Sequence, residues 1–214
     1  MTALTDTILV LLILSGFALL NSSRLGASIR LAALQGILAG LLPAAMSGHG
    51  VSLRILATGA VVIVMKGLVF PRLLFRALRE SDTRREQQPL LGYMTSMIFG
   101  VLGLLCAFWL DARLDLAVPP ASRLVVPTAV ATMLTGLFLI VTRRIALSQV
   151  IGFLTLENGI YAFGLAIVGD VPVLIELGVL MDVFVAVFVM GIAICHINRE
   201  FDHMDSDRLT TLKG

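Results

Sequence analysis

Apolar runs of about 20 residues recur along this 214-residue chain, separated by short polar stretches. A helix needs about 20 apolar residues to cross about 30 Å of hydrocarbon. Read on that length, the spans fall at residues 4–20, 27–46, 53–75, 90–110, 124–141, 149–168 and 173–197. With no water inside the bilayer, each backbone N–H and C=O must be paired within its own segment, which makes these spans helices. Charged residues are 14% of the chain, against roughly 25% in a soluble domain. So little charge could not cover the apolar surface of a soluble protein of this size. The expected fold is all-α: a polytopic membrane protein of seven transmembrane helices.

The placement of Lys and Arg orients the spans. Arg24 and Arg30 flank the first connection, Arg72, Arg76, Arg79, Arg84 and Arg85 the third, and Arg143 and Arg144 the fifth; Arg199, Arg208 and Lys213 mark the tail. The opposite side has only Arg54, Arg113 and Arg123. The N-terminus is therefore expected outside and the C-terminus in the cytoplasm, with the sequence VPPASR before the fifth span as an extracytoplasmic turn. The first span has neither a basic leader nor a small-residue cleavage site before Asn21, so it reads as a retained helix.

The longest polar interruption, residues 76–89, mixes both charge signs and reads as a cytoplasmic hinge. It divides the chain into a three-helix unit, residues 1–88, and a four-helix unit with a cytoplasmic tail, residues 89–214. A faint echo crosses it: LQGILAGLL in the second span resembles LENGIYAFGLA in the sixth, with Gln35 standing where Glu157 stands. Two such units in one orientation would form a parallel repeat. Gly36 and Gly40 make a GxxxG, a pattern that lets helices approach closely.

Ionisable residues inside spans narrow the function. A charge at the centre of an inserted helix costs roughly 2.5–3.5 kcal/mol even on the lenient scales. Lys66, Glu157, Asp182 and His196 nevertheless lie within spans, and Glu176 lies near an end. At 1.5 Å per residue, Glu157 is about 13 Å from the inner side and Asp182 about 13 Å from the outer side, which puts both near the midplane. The short GDVP connection makes their helices antiparallel neighbours. On the last span Gly178, Asp182, Ala186, Val189, Ala193 and His196 share one face, and on the sixth Gln149, Glu157, Tyr161 and Gly164 do. Structural glue is one use of a buried carboxyl. Proton carriage is another, since desolvation favours the neutral form of a carboxyl. Lys66 requires a carboxylate, a water chain or backbone carbonyls, from this chain or a neighbouring subunit. The candidate proton path is Glu157, Asp182, Lys66, Gln35 and His196, with His196 and Glu176 nearest the interfaces.

Soluble chemistry is missing from the motifs. There is no phosphate loop, CxxC, nucleophile elbow or His-rich metal pattern, so no catalytic, cofactor-binding or metal residue is assigned. Cys106 and Cys195 read as small core residues.

The stretches RRIALSQVIGFLTLENGIYAFGLAI and VLIELGVLMDVFVAVFVMGIAICHINREFDHMD resemble the hydrogenase-4 component E family, and VMKGLVFPRLL resembles its third span. That family supplies membrane subunits of formate-hydrogenlyase-type, complex I-like hydrogenases. The C-terminal half is also similar to the K-type subunit of complex I and the C-type subunit of Mrp antiporters. In the K-type subunit a carboxylate in each of the last two spans serves a proton path. Asp182 falls at the place of the second. Glu157 lies three residues past the first, about 4.5 Å along the axis on roughly the same face. The resemblance implies a subunit of the cell inner membrane that packs beside antiporter-like subunits and the membrane anchor of a peripheral hydrogenase arm. It also implies that nickel–iron and iron–sulfur centres sit in those partners, and it gives no role to nucleic acid. An Mrp-like cation/proton antiporter subunit and a non-conducting helical scaffold are the other readings.

Overall fold

The computed structural model describes residues 2–47, 52–80, 91–114 and 122–167, together with Gly178. Its elements are all helical: α1 (Thr2–Leu20), α2 (Leu25–Met46), α3 (Leu53–Val64), α4 (Phe70–Glu80), α5 (Tyr93–Asp111), α6 (Val125–Thr142) and α7 (Ala146–Ile167). Five of them, α1, α2, α5, α6 and α7, are long and apolar enough to cross a membrane. Each matches an expected span to within a turn. The expected span at 173–197 lies outside the described residues, apart from Gly178.

The third span differs from its expectation. The expected span over 53–75 is one unbroken helical run, but within it α3 and α4 are joined by a π turn, Met65–Val69, and α4 runs on to Glu80. The first residues of the expected hinge are thus helical. In the π turn the Phe70 N–H reaches back five residues to the Met65 carbonyl. Pro71 follows directly; it has no N–H to donate, and its ring crowds the preceding turn, a recurrent cause of such local widening. Beyond it, α4 holds together as an amphipathic helix. Phe70, Leu74 and Ala77 point into the bundle, while Arg72, Arg76 and Arg79 stand exposed on another face.

Between apolar helices in lipid there is little hydrophobic drive, so close packing decides which helices associate. α6 and α7 make the tightest pair. A Cβ on Gly136 would strike the Leu156 backbone, one on Gly152 would lie 2.8 Å from the Ile140 nitrogen, and one on Gly159 would lie 2.6 Å from the Met133 nitrogen. These contacts step in opposite directions along the two helices, so the hairpin is antiparallel with its backbones in contact. α1 and α2 pack against this hairpin, and α5 lies at the edge, touching α1 and α6. Most of α5 faces outward. A groove of about 570 Å³ runs between it and α6, bordered by Phe99, Leu102, Cys106 and Phe138. Cys106 is therefore exposed on that flank and is not the core residue the apolar run implied.

Hydrogen bonds tie the helix ends into two groups. The Arg143 guanidinium donates to the Leu20 carbonyl (3.1 Å), which joins the α6–α7 turn to the C-terminus of α1. A cation there also complements the helix dipole. At the other end Thr5 donates to the Ala45 carbonyl (2.9 Å), and Ser122 donates to the Asp6 carboxylate (2.5 Å).

Between these ends the buried residues form layers. Near the Arg143 end lies one apolar cluster, including Leu19, Ile29, Phe70, Leu139 and Leu154. Near the other end lies a second, including Leu12, Leu38, Leu42, Ala129 and Ala162. Each helix that contributes to both clusters carries buried polar residues where it passes from one to the other: Ser15 on α1, Gln35 on α2, Thr132 on α6, and Glu157 and Asn158 on α7. Lys66 enters the same level from the π turn. A polar layer is thus held between two dry ones.

Candidate functional site

Lys66 sits in the π turn, where Gly36 of α2 meets it. A Cβ at position 36 would clash with the Lys66 Cβ, and the Lys66 backbone lies 3.3–3.4 Å from the same point. The glycine lets α2 approach closely enough to seal one side of the lysine stem. At its head, the Lys66 Nζ lies 2.9 Å from Glu157 Oε1 and donates to Asn158 Oδ1 at 3.0 Å. Lys66 and Glu157 are only 7% and 4% exposed. Adjacent residues of α7 therefore supply the ammonium with a charged and a neutral acceptor.

Burial makes this pair demanding. Desolvation costs several kcal/mol per ion, and the mutual attraction offsets it only with good geometry and further hydrogen bonds. Asn158 provides one such bond. The surroundings are otherwise apolar: a cavity of about 10 Å³ beside Lys66 and Asn158 is walled by Ile29, Phe70, Leu74 and Leu154, and it is close to the size of a single water. Several buried polar atoms of α2, α6 and α7 have no hydrogen-bond partner among the described residues: Glu157 Oε2, the Tyr161 hydroxyl one turn further along α7, both amide atoms of Gln35, and Thr128 Oγ1. Thr132, Thr135 and Thr155 instead donate to carbonyls of their own helices at 2.7–2.9 Å.

Of the residues proposed from sequence, Lys66 and Glu157 come together. Gln35 is in the same layer, fully buried, but its amide faces α1 and α6 near Gly16, away from Lys66. Asp182, His196 and Glu176 lie outside the described residues. Gln149 does not join Glu157; its amide donates to the Arg143 carbonyl (2.9 Å) and closes the α6–α7 turn. Asn158 was missed. The only signal for it is local, an amide directly following a buried carboxylate.

The geometry permits one elementary step. A proton passing from Nζ to Oε1 over 2.9 Å turns a charged pair into an amine and a carboxylic acid, with no change in net charge. Release from Glu157 then requires the carboxyl to rotate, so that the protonated oxygen takes the place of Oε2, which has no hydrogen-bond partner among the described residues. Among those residues no three His, Cys, Asp or Glu side chains converge.

No protein-family model matches the chain, and no solved structure does. It is 33% identical over 203 residues to the uncharacterized protein Rv0085 of Mycobacterium tuberculosis, spanning 94% of this chain and 92% of that one. It is 30% identical over 164 residues to hydrogenase-4 component E of Escherichia coli K12, spanning 75% of this chain and 74% of that protein. The same figures hold for hydrogenase-4 component E of Shigella flexneri. A likeness of this extent, over a chain built of membrane-length helices, leads to one conclusion: the chain belongs to the hydrogenase-4 component E family.

Proposed function

We propose that this chain is a membrane-arm subunit of a complex I-like, energy-converting hydrogenase, and that its Lys66–Glu157 pair is a link in the proton path of that complex. The observation that supports this reading is the buried ion pair at the level of a polar layer with apolar clusters on both sides. A pair kept only for cohesion is a poor device, because well-packed apolar residues of similar volume often stabilise as well or better. A pair that shifts a proton needs this kind of site: short, dry and flanked by polar groups in the same plane. The two apolar clusters favour movement along the layer over movement through it. The path would then run sideways toward neighbouring antiporter-like subunits, with Asp182 joining it as the family resemblance implies. On this reading the nickel–iron and iron–sulfur centres belong to partner subunits. The Arg-rich end that includes Arg24, Arg79, Arg143 and Arg144 faces the cytoplasm, in keeping with the positive-inside rule, and the membrane is the cell inner membrane.

The test is Glu157→Gln in the native complex. The variant leaves the Lys66 ammonium without its counter-charge and should lower stability, but the amide keeps the volume and, with Asn158, still accepts from Lys66, so proton uptake is compared per assembled complex. Proton uptake into reconstituted vesicles during turnover should fall at least about tenfold, as for the loss of a required proton carrier. Wild-type uptake by the intact variant would return the pair to the scaffold reading.

A further inference from the structure

We infer that Gln35 and Thr135 hold an ordered internal water beside Gly16, which extends the polar layer from the Lys66–Glu157 pair to the α1–α6 side of the bundle. Gln35 is fully buried, and neither amide atom has a hydrogen-bond partner among the described residues. Unmet buried amide atoms carry a desolvation penalty that native interiors avoid. The amide faces a specific place. A Cβ built on Gly16 would lie 3.9 Å from Gln35 Nε2 and 3.7–3.8 Å from the Thr135 side chain. Glycine at position 16 therefore leaves room between a donor and an acceptor on different helices. Next to that place is a cavity of about 10 Å³, the size of one water, whose walls are Gly16, Thr132 and Thr135 together with apolar residues such as Leu12, Ile13 and Phe17; Gln35 reaches it only across Gly16.

The hydrogen-bond roles are compatible. Thr135 gives its proton to the Ala131 carbonyl at 2.8 Å, and its oxygen retains lone pairs to accept from a water. Gln35 Nε2 donates to the same water. Gln35 directly precedes Gly36, the residue against which Lys66 packs, so α2 presents the pair on one side and the water on the other. Thr135 also borders the α5–α6 groove, which brings the layer to that flank of the subunit. The inference rests on the proton-path reading for its function, but not for the water itself.

Two variants test it separately from that reading. Gly16→Ala places a methyl at ordinary contact distance from Gln35 and Thr135, so it should fold and assemble normally while displacing the water. Gln35→Leu removes the amide and keeps the bulk. High-resolution electron cryomicroscopy of the native complex should show water density between Gln35 and Thr135, and this density should be gone in Gly16→Ala. Proton uptake should fall about tenfold in both variants, as for the loss of one hydrogen-bonded link. Absence of that density in the wild type, or full uptake in both variants while Glu157→Gln is impaired, would overturn the water link and leave the ion-pair reading standing. Density in the wild type with unimpaired Glu157→Gln would instead sink the proton-path reading and keep the water as a structural one.

Discussion

Lys66 and Glu157 have to be judged as a pair. An intramembrane ammonium taken alone carries an insertion penalty, and Lys66→Met would then be expected to ease insertion. With Glu157 at 2.9 Å, the same change strands a carboxylate that is almost wholly buried. Breaking one side of a buried pair typically costs about 3–5 kcal/mol, whereas removing both sides is often close to neutral. Lys66→Met should therefore lower the thermal midpoint of the purified protein clearly, and the double variant Lys66→Met/Glu157→Gln should recover most of the loss. Circular dichroism in detergent reads this directly. Equal midpoints for the single and double variants would mean that no buried charge depends on Lys66. Sequence reasoning identified both residues as costly and left the partner of Lys66 open, because hydropathy sets the depth of a residue but not which helices meet. Asn158 escaped for a related reason. A neutral amide carries too small a penalty to stand out in an apolar run.

At the scale of helices, the α6–α7 hairpin sets the position of Glu157. Gly136 of α6 lies against the backbone of Leu156, the residue just before it. Gly136→Ala must push the helices apart, since the clash is with backbone and not with a flexible side-chain end. That strain should cost about 1–3 kcal/mol, the range for overpacking, and should move Glu157 away from Lys66. Gly103→Ala, inside α5 with only ordinary contacts to the Leu134 side chain at 3.8 Å, is the matched control and should not lower stability in the same thermal assay. Equal stability of the two variants would show that the close crossing is not a constraint. The limits of the described spans were legible because the long apolar runs are bounded by polar residues, such as Asn21, Arg24, Ser47, Asp111, Arg123 and Arg143. The π turn was not: Pro71 was visible, but the widened turn also depends on how Gly36 seats against Lys66, a contact between distant segments. Cys106 was misjudged because lipid and protein core are equally apolar, so an apolar residue does not reveal which of the two it faces.

The described helices form a bundle in which apolar layers enclose a polar one, in a chain of the hydrogenase-4 component E family. Hydropathy foretold the five membrane-length helices among the described residues, and the family resemblance foretold the relatives. The layering belongs to the assembled bundle, where α1, α2, α6 and α7 each change from apolar to polar and back at one level. On the proton-path reading proposed above, Glu157 exchanges a proton while the complex works. Infrared difference spectroscopy of the native complex, comparing its resting and reduced states, observes that exchange directly. A carboxylic acid C=O band that shifts in deuterium oxide should appear or vanish between the states, and should be missing in Glu157→Gln. An identical difference spectrum in wild type and variant would contradict the claim.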